Sequence, residues 1–156
     1  MATINAAISV TSDVTGYGTT INNAMTMTKA GTIAGLDQAT GLVRKTLTST
    51  NEVDLLVVGA GVVADVTATK SAKLYMKNVN TDSSEYFTVG LGVPSGTATK
   101  QAFSVVADAT RSVEIGRLYS GDWMIIPWAA ASDEHDVFVK PSVSTSMVIE
   151  YMVFFE

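Results

Sequence analysis

Apolar and polar residues alternate along most of the chain, with the period of two that is typical of β-strands. Near the N-terminus, Ile4, Ala6, Ile8 and Val10 alternate with polar or small residues, which predicts a half-buried strand. A turn is expected at residues 15–20. Further strands are predicted at residues 24–29, 42–50, 53–58, 72–78, 86–91, 102–107, 112–118, 123–127 and 137–139.

The last stretch of the sequence is apolar on both faces of a strand. Met147, Ile149, Tyr151, Val153 and Phe155 share one face, and Val148, Met152 and Phe154 share the other, which only Glu150 interrupts. A strand of this kind normally lies inside a sheet whose faces are covered. The pattern therefore predicts an interior strand that pairs with strands distant in the sequence.

Short strands separated by Gly-, Pro-, Asn- and Ser-containing turns predict an all-β antiparallel sandwich or barrel. We favour a jelly-roll-like sandwich, because an interior last strand needs partners from far along the chain. The length of 156 residues predicts a single domain, 1–156. Within it, residues 51–156 are expected to form the sandwich core, and the Thr-, Gly- and Asn-rich residues 1–50 an arm or an added sheet. The segment 80–84 is expected to join a hairpin of two strands.

Composition narrows the classes of partner. Charged residues make up 16% of the chain, below the roughly 25% of typical soluble domains. Such a surface indicates an assembly in which other subunits cover apolar area. The net charge of −5 argues against nucleic-acid binding. The longest apolar run, 55–64, is about half of what a membrane-spanning helix needs, and no secretory signal is expected.

Two sequence motifs resemble a cofactor site and a metal site, and neither one predicts such a site. Gly59 and Gly61 follow a predicted strand as in dinucleotide-binding folds, but that mechanism needs a helix, and residues 62–72 are rich in β-branched residues. We interpret this stretch as a buried strand that turns on two glycines, and we expect no cofactor. The lone histidine, His135, lies in the acidic segment 132–136, whose spacing matches no metal-ligand pattern. A solvated loop and no metal are expected.

No catalytic constellation is visible either, and we expect no enzymatic activity. The sequence has no Gly-x-Ser-x-Gly elbow and no cysteine for thiol chemistry. Its fifteen acidic residues include no pair that spacing singles out for glycoside hydrolysis.

Aromatic residues supply the candidate interface positions. Tyr119, Trp123 and Trp128 lie within ten residues of one another, and exposed rings of this kind can stack on sugars. At strand spacing Trp123 shares a face with Ile125, which predicts a core position. Trp128 follows Pro127 at a strand end, so Trp128, together with Tyr119, is the predicted surface or interface anchor.

Four segments of the second half carry a resemblance to known proteins. They are the strand 73–78, the strand 86–91, the segment 118–128 with its Gly-acidic-aromatic turn running to a proline, and the closing apolar-Glu-Tyr strand 149–156. In this order they resemble small virion structural proteins of tailed bacteriophages, particularly marine and cyanobacterial ones. The resemblance covers about residues 70 to 156 and brings no catalytic residue with it.

The resemblance implies a capsid decoration (cement) protein, which sits on the outside of the major capsid protein shell and reinforces it, commonly as a trimer. The expected partners are then the major capsid protein and further copies of the chain. The expected location is the capsid surface of a virion assembled in the host cytoplasm. Alternatives are a tail or head-fibre component, or a carbohydrate-binding β-sandwich module. The pattern also resembles cupin-type jelly rolls, but one histidine cannot form their metal-binding cluster.

Overall fold

The computed structural model describes residues 3–12, 19–28, 34–36, 38–56, 72–92, 113–128 and 136–155. Every regular element in these ranges is a β-strand, and all the strand pairs are antiparallel, which confirms the all-β prediction. The strands are β1 Asn5–Ser12, β2 Thr19–Thr26, β3 Gln38–Ala39, β4 Val43–Leu47, β5 Val53–Leu56, β6 Ala72–Asn78, β7 Tyr86–Leu91, β8 Val113–Tyr119, β9 Trp123–Trp128, β10 Val137–Pro141 and β11 Met147–Phe155.

Nine of the strands form two sheets, one of five strands and one of four. The first sheet has the order β4-β11-β6-β9, with the short β3 beside β4 on the same edge of β11, and the second has the order β5-β10-β7-β8. From β4 to β7, successive strands alternate between the two sheets. This alternation is compatible with a jelly roll.

The interior position predicted for the last strand is confirmed. On one side β11 pairs with β4 and β3, and on the other it pairs with β6. The side chains of Met147, Ile149, Tyr151, Val153 and Phe155 point into the core and are at most 8% exposed. The opposite apolar positions of this strand are half-buried, so the two faces differ in their cover.

The two sheets pack face to face around one hydrophobic cluster, as in a β-sandwich. Each sheet supplies side chains that are fully or almost fully buried. The first sheet contributes Leu47, Leu74, Met76, Trp128 and the inward residues of β11, and the second contributes Leu55, Leu56, Phe87, Val89, Leu118, Val137 and Val139. At one edge Lys45 Nζ donates to the Asp54 carbonyl oxygen at 2.8 Å, which links β4 to β5 across the sheets.

A buried polar cluster fixes one end of the sandwich. Asn78 is fully buried, and its amide nitrogen donates to the carbonyl oxygens of Leu118 at 3.0 Å and Glu85 at 3.3 Å. Its side-chain oxygen accepts from the Asn80 backbone N–H at 3.0 Å, while Asn80 Oδ1 accepts from the Val148 N–H at 2.9 Å. These bonds hold together the end of β6, the segment leading to β7, the end of β8 and the start of β11.

The buried polar cluster also explains why the hairpin predicted between β6 and β7 is wrong. Strands β6 and β7 were expected to pair as a hairpin, but they lie in different sheets. The connecting segment crosses the end of the sandwich, because its polar groups bond to Asn78 and to β11 instead of closing a two-stranded turn.

Strands β1 and β2 form a separate two-stranded sheet, with eight residue pairs from Asn5↔Thr26 to Ser12↔Thr19. Its base is tied to the chain near β3 by the bonds from Ile4 N to Leu36 O, at 3.0 Å, and from Leu36 N to Met27 O, at 2.9 Å. Leu36 and Met27 are buried there.

Outside that base the hairpin is open to solvent. Ile8 and Val10, predicted to be half-buried, are 41% and 45% exposed, because neither main sheet pairs with or packs on β1 among the described strands. Strands β3 and β4, although they precede residue 50, belong to the first sheet. The described part of the N-terminal region that stands apart is therefore the hairpin.

Several sequence interpretations fall on residues outside the described ranges. They are the first four residues of the turn predicted at 15–20, the glycine pattern near 59–61, the strand predicted at 102–107 and most of the acidic segment 132–136. The last two residues of that turn, Thr19 and Thr20, belong instead to β2, because they pair with Ser12 and Thr11. In the described part of the chain, no helix is long and apolar enough to cross a membrane.

Candidate interaction surface

The outward side of the first sheet is the candidate functional surface, and we call it the Trp123 face. Side chains alternate along a strand, so those of this sheet that do not enter the core point outward together. The Trp123 face comprises Arg44 and Thr46 on β4, Lys73, Tyr75 and Lys77 on β6, Trp123, Ile125 and Pro127 on β9, and Val148, Glu150, Met152 and Phe154 on β11.

The strand register places the apolar members of this face side by side. Met152 lies opposite Tyr75, which lies opposite Ile125 on the other side. The neighbouring row joins Phe154 to Pro127 through Lys73. The apolar side chains thus form a continuous stripe across three strands.

The two tryptophans occupy the reverse of their predicted positions. Trp123, expected in the core, is 48% exposed, whereas Trp128, expected as a surface anchor, is 3% exposed and belongs to the core cluster. The physical reason is the register of β9: Trp128 shares its face with Ile126, which packs against the core. Ile125, next to Trp123 on the outward side, is 37% exposed. Trp128 therefore cannot serve as an exposed anchor.

Tyr119, the other predicted interface residue, is 41% exposed and lies on the second sheet. Its ring packs against Tyr86 with centroids 5.1 Å apart, and the Arg117 guanidinium lies 4.7 Å above the Tyr86 ring. The β8–β9 turn, where Gly121 adopts a φ of 83°, carries the chain from one sheet to the other. Tyr119 and Trp123 therefore do not share one stacking platform.

The Trp123 face differs in charge from the chain as a whole. Glu150 is its single carboxylate, and it is 7% exposed and ion-paired with Arg44 at 2.9 Å. The pKa of Tyr75 is raised by burial, by the negative charge of Glu150 and by a hydrogen bond to it. Lys73 and Lys77 flank Tyr75 along β6. With three cations and one carboxylate, the face is positive on a chain with net charge −5.

The sequence predicts one property of this surface, the edge position of β9. Pro127 cannot donate a ladder hydrogen bond, so its presence indicates an edge strand, and β9 lies at the edge of the first sheet. Tyr75 carried no such signal, because its exposure depends on which face of β6 meets the second sheet.

Metal-binding side chains do not cluster in the described ranges. No three His, Cys, Asp or Glu residues among them lie close enough together to hold a metal ion. What these residues present is an antiparallel β-sandwich with an exposed apolar face and a projecting hairpin. Comparison with protein families, curated proteins and solved structures finds no match to the chain.

Proposed function

We propose that the chain is a non-enzymatic structural protein of a bacteriophage particle, a capsid decoration protein that binds the outside of the major capsid protein shell and stabilises it. The observation that supports this role is the Trp123 face. A half-exposed tryptophan beside Ile125 on the outer face of a sheet is the kind of aromatic anchor that dominates protein interfaces. The resemblance of segments between residues 70 and 156 to phage virion proteins is the reason for proposing a capsid as the assembly to which the protein binds.

The size of the face fits a protein that acts in many copies. Four strand widths by the seven residues of β11 from Val148 to Phe154 give roughly 450 Å². A stable interface usually buries about 800 Å² on each partner, so one such face binds weakly by itself. Joining copies into a small oligomer, a trimer being the expected form, multiplies weak contacts into firm attachment.

The chemistry of the face also predicts how binding responds to salt. Seven of its members are apolar or aromatic, and its charges are those of Lys73, Lys77 and the Arg44–Glu150 ion pair. Salt at about 1 M shortens the screening length to about 3 Å and removes exposed ion pairs, while apolar burial persists. Binding to the shell is therefore expected to be weakened by salt but not abolished.

The test is to mix the purified protein with undecorated, expanded capsids of its own phage, pellet them at low and high salt, and count copies per shell. Trp123→Ala is expected to lower retention at least tenfold at subsaturating protein. Tyr119→Ala is the matched control, because it removes an exposed aromatic ring from the other sheet. Failure of the unmodified protein to co-pellet at either salt refutes the proposal, and loss with Tyr119→Ala alone moves the contact to the second sheet.

One observation favours a second candidate, a carbohydrate-binding module: the exposed ring of Trp123 can stack on a sugar. It is weaker, because Trp128 is buried and Tyr119 lies on the other sheet. Glycan-array binding that Trp123→Ala abolishes would favour this module over the decoration protein. Labelled antibodies on whole particles separate a capsid location from a tail or head fibre.

A further inference from the structure

The β1–β2 hairpin presents one bare apolar face. Side chains that pair across the two strands share a face, and Ala6, Ile8 and Val10 of β1 pair with Met25, Asn23 and Ile21 of β2. We call Ala6, Ile8, Val10, Ile21 and Met25 the apolar hairpin face, which also includes one polar residue, Asn23, opposite Ile8. Its four large members are 41–54% exposed.

The opposite face of the hairpin is polar and satisfies its own hydrogen bonds. Ser9 Oγ donates to Asn22 Oδ1 at 2.6 Å, and Thr26 Oγ1 donates to Asn5 Oδ1 at 2.8 Å. These cross-strand bonds and the bonds at the base hold the hairpin in one geometry. A two-stranded hairpin alone is marginally stable in water, so a second layer on its apolar face would complete it.

The absence of charge on β1 and β2 indicates which partner suits the apolar hairpin face. Strands β1 and β2 contain no charged residue, although the chain carries a net charge of −5. Two copies of an acidic chain repel each other, and a contact through these uncharged strands adds no charge of its own to that repulsion.

We propose that the hairpin is a self-association element, whose apolar face packs against the same face of the hairpin of another copy. The two faces would meet at about the 10 Å spacing of stacked sheets, and the interdigitating side chains would form a small shared core. This inference is independent of the capsid shell and holds for the chain in solution.

The area sets the strength of the contact. Eight residue pairs on two strands give a face of roughly 270 Å², about a third of what a standard interface buries on each partner. Association is therefore weak and depends on concentration. Copies held side by side on any surface would associate more fully, because their effective concentration is higher.

The experiment is sedimentation velocity on the full chain from about 5 to about 500 µM, a range suited to a contact of this size. The unmodified chain is expected to associate reversibly. Ile8→Asp and Ile21→Asp, which place a charge on the apolar hairpin face, are expected to weaken association at least tenfold. Ala7→Asp is the matched control, since it adds the same charge to the neighbouring residue on the opposite face.

The outcomes separate this proposal from the capsid role. A chain that stays monomeric up to the highest concentration overturns it, as does association that Ile8→Asp leaves unchanged or that Ala7→Asp weakens equally. Thermal melting of each variant checks the sandwich, which is expected to melt as in the unmodified chain because the hairpin lies outside both sheets. If Ile8→Asp reduces shell binding while the unmodified chain is monomeric, the hairpin contacts the shell and self-association is refuted.

Discussion

Replacing Asn78 by alanine tests how the closed end of the sandwich is stabilised. The substitution removes the two bonds to the Leu118 and Glu85 carbonyl oxygens and the acceptor of the Asn80 N–H. Asn78 Oδ1 also accepts from the Asn80 side-chain amide, which makes four bonds in all. Each bond contributes about 0.5–1.5 kcal/mol net, so the four together predict a loss of roughly 2–6 kcal/mol. The upper part of this range is a large share of the roughly 5–15 kcal/mol that stabilises a typical domain.

The measurement is chemical denaturation of Asn78→Ala beside the unmodified chain, supported by thermal melting. For a chain of this size, the predicted loss corresponds to a fall in Tm of roughly 4–24 °C. Asn51→Ala is the control, because Asn51 is exposed and its backbone N–H, which the substitution keeps, donates to Ser49 Oγ at 3.0 Å. If Asn78→Ala costs no more than Asn51→Ala, the buried amide does not stabilise the crossing between the sheets.

Two further predictions concern packing and pH. Gly90→Ala is expected to lower the free energy of unfolding by about 1–3 kcal/mol, since the new Cβ would lie 2.7 Å from the Val113 carbonyl oxygen and against the ring of Phe138. Gly116→Ala is the control and should be nearly neutral, because no atom of a non-neighbouring residue lies within 4 Å of its new Cβ. Equal denaturation midpoints for the two variants would contradict this. Burial raises the pKa of the Tyr151 phenol. The folded state holds this proton more tightly than the unfolded state, so the contribution is complete below about pH 10 and is lost as pH rises through the folded pKa. Tyr151→Phe should therefore reduce the alkaline loss of unfolding free energy, and an unchanged pH profile would refute this.

The strands that the sequence predicts best are those with strong alternation and clear turns on either side. Strands β6 and β7 have the predicted bounds, 72–78 and 86–91, because Leu74 and Met76, like Phe87 and Val89, are apolar residues two apart. Strand β2 begins at Thr19, earlier than predicted. Its middle contains Asn22 and Asn23, which are residues typical of turns, so the strand is recognised only from its pairing with β1.

The positions of the tryptophans could not be predicted from the sequence, because both faces of β9 are apolar. Which face enters the core depends on the pairing of Tyr75 with Ile125, and this is a contact over 50 residues of chain. The crossing between β6 and β7 was hidden for a similar reason. A segment rich in Asn, Asp and Ser suits a tight turn as well as a crossing, and only the bonds of Asn78 distinguish the two.

The order of strands in the sheets also sets the order in which they can form. Strand β11 pairs with β4 across about a hundred residues, and closing loops of this length makes folding slow. The β1–β2 hairpin pairs residues at most 21 apart, and hairpins form within about 1–10 µs. We therefore expect the hairpin to be present while the sandwich is still open. Its uncharged strands can then meet those of another nascent chain, so encounters between copies can begin before either copy has finished folding.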